Sequence, residues 1–159
     1  MGNKNNIIHG PANLTIDGQN VGFTTGGVVL RRKREFLDVE ADQATGVIKK
    51  LVIMEKMTLS TTMLESTRAN MLLAMDCTGS GSGDGEFGEA SPVATEHSGT
   101  ITGKAPNGGT RTYTFYRGVV AEDVEHVVGA RDKVGDIPVT FELMKDSTKG
   151  DTFGYWVDA

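Results

Sequence analysis

One cysteine, Cys77, stands in the whole 159-residue chain, which excludes an intrachain disulfide and any multi-cysteine zinc site. Prolines number only 4, too few for a rigid linker or a collagen-like segment. Basic residues are in deficit: Lys and Arg total 16 against 21 Asp and Glu, a net charge of -5. A protein that grips a nucleic-acid backbone needs the opposite balance. Long apolar runs are missing too, and none approaches the roughly 20 residues that span a bilayer. The opening MGNKNNIIHG lacks the apolar core of a signal peptide, and Asn6 stands where a myristoylation pattern begun at Gly2 wants Ser or Thr. Hydrophobic residues make up 38% and charged residues 23%, enough for a modest core in one ordinary domain. Glycine is what the chain has in excess. Its 21 copies are about twice the ordinary share of ~7%, and so many with so few prolines predict numerous turns between strands.

The pattern along the chain agrees. Residues 1–13 are polar and aperiodic and read as an N-terminal arm before a single domain over 14–159. A short strand pair follows, Leu14 to Asp17 and Val21 to Thr24, turning at Gly18-Gln19-Asn20, with Gly26-Gly27 as a break. Val28 to Val39 is rich in Val, Leu, Phe and long charged residues, Asp42 to Gly46 is a loop, and Val47 to Met63 is a second long run. In its latter half Met57, Leu59, Thr61 and Met63 alternate with Thr58, Ser60 and Thr62, the period of a strand. The period then changes: Leu64, Met71, Leu72 and Met75 share a helical face, predicting one helix over 64–76. Thr62 and Glu65 are spaced as a capping box for it. Gly79 to Gly88 is too glycine-rich for regular structure. Strands are predicted at Thr100 to Thr102, Thr110 to Val120, Val124 to Val128 and Ile137 to Leu143, with a turn at Pro106 to Gly109 and an aromatic end, Phe153 to Val157. The expected class is mainly β, a sandwich or barrel with one helix and a long β-hairpin.

That hairpin is out of scale. Twelve residues from Val28 to Val39 at about 3.3 Å each reach ~40 Å, the whole diameter of a domain whose radius of gyration is about 15 Å. Unless it bends into four ordinary strands, it crosses the domain or projects from it. A projecting two-stranded ribbon is marginal alone in water, and pairing with other copies is the natural remedy.

Motifs for chemistry are weak by comparison. Gly83-Asp84-Gly85-Glu86-Phe87-Gly88 has the letters of a dinucleotide fingerprint, but lacks the strand before and helix after it, and its acids would repel phosphate. His9, His97 and His126 share no ligand spacing, and no nucleophile elbow is present. Cys77 reads as a small, partly buried residue, and the acids Glu122, Asp123 and Glu125 lack ordered calcium spacing. No catalytic, cofactor or metal residue is expected, and the chain does not read as an enzyme. Arg31-Arg32-Lys33-Arg34 resembles a basic patch, yet in a strand its side chains point alternately to both faces. Together with Asp38, Glu40, Asp42, Gln43, Lys49 and Lys50 it reads instead as an interface between subunits.

The order of elements, with Gly27-Val28-Val29-Leu30 opening the hairpin, Val39-Glu40-Ala41-Asp42-Gln43 at its tip, Met57 to Met75 running from strand into helix, and Ile137 to Glu142 late in the chain, resembles the major tail tube proteins of tailed bacteriophages. That family shares its fold with the inner tubes of contractile injection machines, and the likeness spans about residues 14–145. The resemblance implies a virion structural protein, folded in the host cytoplasm and placed in the tail. It implies hexameric rings stacked into a tube, with tape-measure, terminator and baseplate proteins as partners, no membrane, and DNA passing without specific binding. Thr58, Ser60 and Thr62 would then suit a lumen lining. Two other readings stand beside it: a monomeric ligand-binding β-barrel, and a terminator or baseplate ring that never elongates.

Overall fold

The computed structural model describes residues 8, 10–43, 45–79, 83–88, 93–121, 123–129, 131 and 135–159. Most of the expected N-terminal arm, residues 1–7 and 9, lies outside them, as do His9 and Glu122. The chain is mainly β: β1 (Asn13–Ile16), β2 (Gln19–Asn20), β3 (Thr24–Glu40), β4 (Val47–Met63), α1 (Arg68–Ala74), β5 (His97–Lys104), β6 (Thr110–Val120), β7 (Ile137–Met144) and β8 (Gly154–Asp158). These eight strands form one antiparallel sheet in the order β2-β1-β5-β6-β7-β4-β3, with β8 added to β6. The mainly β class with one helix and a long hairpin is as expected, and β3 and β2 end the strand order among the described residues.

Local sequence explains most boundaries. β1 and β2 turn at Asp17-Gly18, both with positive φ, 48° and 79°, the geometry of a two-residue hairpin. The expected turn residues Gln19 and Asn20 are therefore the second strand, and Val21 to Phe23 form none. Gly26 and Gly27, at φ 73° and 78°, do not end β3; they form a bulge where the register slips between Thr25 and Val29. The helix is shorter than its apolar stripe. Thr67, not Thr62, is its N-cap, accepting a hydrogen bond from Asn70 N at 3.2 Å. Glu65 closes no capping box, because its carboxylate accepts instead from Phe23 N at 2.9 Å. No strand forms over Val124 to Val128, where one was expected.

One sheet face carries the core. Ile137, Val139, Phe141 and Leu143 of β7 pair across to Met63, Thr61, Leu59 and Met57 of β4, and Leu14, Ile16, Ile101 and Phe115 continue the cluster. Leu14, Leu59, Met63, Ile137 and Phe141 are fully buried, which removes the largest apolar surfaces from water. Buried Asn70 ties α1 to this body, donating through Nδ2 to Val21 O and Glu65 O, both at 2.8 Å.

The sheet forks at β6. Arg117 to Val120 pairs with Met144 to Phe141 of β7, whereas Arg111 to Phe115 pairs with Asp158 to Gly154 of β8 on the same edge. The two branches leave a cleft between them.

Candidate assembly interface

β3 and β4 run as one hairpin, with Glu40 opposite Val47 at its far end and a second register slip between Glu35 and Phe36. β7 supports β4 only from Met57 to Met63. Beyond Met57 the hairpin is a two-stranded ribbon with no further strand beside it among the described residues. Phe36, Leu37, Val47, Ile48, Leu51, Val52, Ile53 and Met54 are each at least 40% exposed there. Pairing fixes which side chains share a face: Phe36 with Val52 on the core side, and Leu37 with Leu51 on the opposite side. An apolar residue therefore meets water on both faces of the ribbon. Its outer backbone edge, along β3, is the end of the sheet order.

The expected interface residues lie along this hairpin and its tip, Arg31 and Arg32 opposite the stretch that β7 supports, and are exposed. Arg32 and Arg34 point to the core-side face, Arg31 and Lys33 to the other, so the basic run is split as strand geometry requires. Of the acids close in sequence Glu35 pairs with Lys33, at 3.0 Å, and the two arginines of the core side share an acid of β4. Arg32 pairs with Glu55, and Arg34 Nε lies 2.9 Å from the same carboxylate, which Lys145 Nζ also approaches at 3.2 Å. Hydrogen bonds from Arg34 and then Lys145 hold the Glu55 carboxyl below its ordinary range. Glu55 joins ribbon to body, and it carries no distinctive sequence signal between Met54 and Lys56. Asp38 and Lys50 pair directly at 2.7 Å, whereas Arg31, Glu40, Asp42 and Lys49 have no ion-pair partner among the described residues. Gln43 is exposed at the tip.

Thr58, Ser60 and Thr62 stand together on the face away from the core, opposite Glu142, Thr140 and Pro138 of β7. Thr140 donates to Ser60 Oγ at 3.1 Å. On the same face Lys33 is matched by Glu35 at 3.0 Å and Lys56 by Glu142 at 2.7 Å. The surface is hydroxyl-rich with its charges mostly paired.

The cleft at the fork has a volume of about 320 Å³, with Leu30, Glu55, Met57, Leu143 and Lys145 on the ribbon side and Tyr113, Phe153 and Trp156 on the β8 side. The Arg111 guanidinium sits 4.5 Å over the Trp156 ring and pairs with Asp158. A smaller cavity of about 210 Å³ beside α1 includes Cys77 and His97. His97 Nδ1 lies 2.6 Å from Asp17 Oδ2, and His126 Nδ1 lies 3.2 Å from the Asp136 carbonyl; no group of three or more His, Cys, Asp or Glu is placed to hold a metal ion among the described residues. The glycine-rich loop is held by Arg68, whose Nε donates to Asp84 O at 2.6 Å. No described helix is long and apolar enough to cross a membrane. No protein-family model matches the chain, and no curated protein matches it in sequence.

Proposed function

We propose that the chain is a structural subunit that assembles with copies of itself into rings, stacked as a tube of the phage tail type. The observation that carries this reading is the two-stranded ribbon, with eight apolar side chains at least 40% exposed and split between its two faces. Isolated two-stranded ribbons are marginal in water, and exposed apolar surface of this extent marks an interface. The open β3 edge offers main-chain donors and acceptors for adding a strand from another subunit. The face of Thr58, Ser60 and Thr62 supports a lumen lining, because neutral hydroxyls and paired charges leave little to hold passing phosphates. On this reading the work is done by shape and no reaction is catalysed; tape-measure, terminator and baseplate proteins are its partners.

Light scattering after size exclusion, with negative-stain images of concentrated protein, tests the proposal. Rings or tubes are expected. A 17.0 kDa monomer at every concentration and salt would overturn it. Rings that never lengthen would favour the terminator or baseplate reading.

A further inference from the structure

The outer edge of β3 ends the sheet order among the described residues, and the sequence of its charges makes it complementary to itself. Charged side chains along a free edge ordinarily keep other strands away. On β3 they fall in two blocks of opposite sign. The core-side face reads Arg32, Arg34, Phe36, Asp38, Glu40: two cations, one exposed ring, two anions. Laid antiparallel on a second copy, that face sets the basic block of each strand against the acidic block of the other.

One register satisfies this order. A two-fold axis normal to the sheet pairs each residue with one on the same face of the copy, so the axis passes through a residue of β3. With the axis at Phe36, Arg34 comes opposite the second copy's Asp38, and Arg32 opposite its Glu40. The hairpin's own pairs then extend each row across four strands. Glu55, Arg34, the second copy's Asp38 and its Lys50 alternate in sign, and the middle row is Val52 and Phe36 of each copy. On the other face Lys33 meets Val39 and Glu35 meets Leu37, so no like charges stand opposite at the junction. The neighbouring axes are worse. At Glu35 two carboxylates face each other, and at Leu37 the charge of Asp38 comes opposite Phe36.

We propose that β3 pairs antiparallel with β3 of a second copy about an axis at Phe36, joining two hairpins into a four-stranded sheet. The two added strands also relieve the marginal stability of a two-stranded ribbon. Such a contact is isologous and closes at two copies, so it differs from one that closes a ring. It names the strand that the β3 edge takes, and it holds or fails whether or not rings form.

A single-cysteine scan reads the axis, because only a residue on a two-fold axis meets itself. In a Cys77→Ser background, which leaves no other thiol, Phe36→Cys brings two Cα atoms to the ~5 Å of an antiparallel pair, within disulfide reach. Lys33→Cys stands three residues off the axis, so its two copies lie about 20 Å apart. After mild oxidation and electrophoresis without reductant, Phe36→Cys is expected at twice the 17.0 kDa chain mass and Lys33→Cys at the single mass. Arg32→Cys with Glu40→Cys keeps Phe36 and is expected to cross-link as well. Within one chain those two positions are eight residues, or ~26 Å, apart and cannot bond. All these positions are exposed, and circular dichroism checks that each variant folds. Cross-linking that peaks at Glu35→Cys or Leu37→Cys, or that is equal at positions 33 and 36, overturns the pairing. So does its absence from both the Phe36→Cys and the Arg32→Cys, Glu40→Cys proteins, even where the wild type forms rings and the ring reading stands. A cross-linked pair from a wild type that never forms rings upholds the pairing and overturns the ring reading.

Discussion

At Glu55 a single carboxylate faces Arg32 and Arg34 from the neighbouring strand and Lys145 from just beyond β7. It is the last well-covered charge before the ribbon runs into solvent, with a side chain only 15% exposed. Arg34, then Lys145, lowers its pKa by hydrogen bonding to the charged form. Glu96 beside Arg117 and Asp158 beside Arg111 are lowered in the same way, and Asp146 by the Thr148 hydroxyl and amide. A carboxyl whose folded pKa is depressed contributes stability above its unfolded pKa and loses it as pH falls through the lower folded value. The ordinary values here are 4.5 for Glu and 3.8 for Asp, so the loss belongs below about pH 4.5. The urea midpoint is therefore expected to hold from neutral pH down to about 5 and fall in more acid solution, and Glu55→Gln should make that fall shallower. A midpoint that rises on acidification would contradict the assignment. His97 shows a different arrangement. Its Nδ1–H donates to Asp17, whose other oxygen accepts from Ser98 N at 2.9 Å, while Nε2 is buried without a partner among the described residues and the ring meets Phe141 edge-on. The contact locks the β1–β2 turn onto β5. Because it depends on residues far apart in the chain, spacing alone gave no sign of it.

The ribbon is where sequence and structure agree most closely, since its signal is local. β4 begins and ends where the run Val47 to Met63 does, because Gly46 precedes it and the period changes after it. β6 likewise fills Thr110 to Val120. What escaped reading was set by competition at a distance. Thr62 and Thr67 are both able to cap a helix, and the choice falls to Thr67 because Glu65 is drawn to Phe23 N. Gly26-Gly27 has the composition of a chain break, but β4 continues alongside and converts it into a bulge, with Thr61 donating to Gly27 O at 3.1 Å. The fork was invisible, because β8 displaces β7 from one β6 edge only after the whole sheet has formed. The same hairpin should show two levels of protection. Backbone amides of β4 between Met57 and Met63 lie between two strands, whereas those from Val47 to Glu55 have one partner and little burial. Native-state hydrogen exchange on dilute protein is expected to be faster in the second stretch, by about 10-fold or more, since local opening there exposes few buried contacts. Equal protection along all of β4 would mean that the ribbon is supported even in the free chain.

For the whole molecule, charge and shape pull toward different partners. A subunit proposed to surround DNA carries a net charge of -5, so the free chain lacks the counterion release that drives most non-specific binding to duplex. The segment from Asp76 to Glu125 concentrates the effect. Its acids Asp76, Asp84, Glu86, Glu89, Glu96, Glu122, Asp123 and Glu125 face only Lys104, Arg111 and Arg117 as basic residues. Two of those three cations are taken, Arg111 by Asp158 and Arg117 by Glu96. The basic run Arg31 to Arg34 could oppose this once copies repeat it around a ring. In each copy, however, Arg32 and Arg34 are held by Glu55 on the core-side face, Lys33 is matched by Glu35, and only Arg31 of the run is left toward the hydroxyl face. On that face Arg31 and Lys49 are the ribbon cations without an ion-pair partner among the described residues, too sparse to grip a backbone that carries a charge every ~1.7 Å along its axis. Neither the free chain nor its assemblies should shift duplex DNA in an electrophoretic assay at physiological salt. Micromolar binding that weakens steeply with added salt, in either form, would rule out a smooth conduit and give the Arg31 to Arg34 run a nucleic-acid role instead.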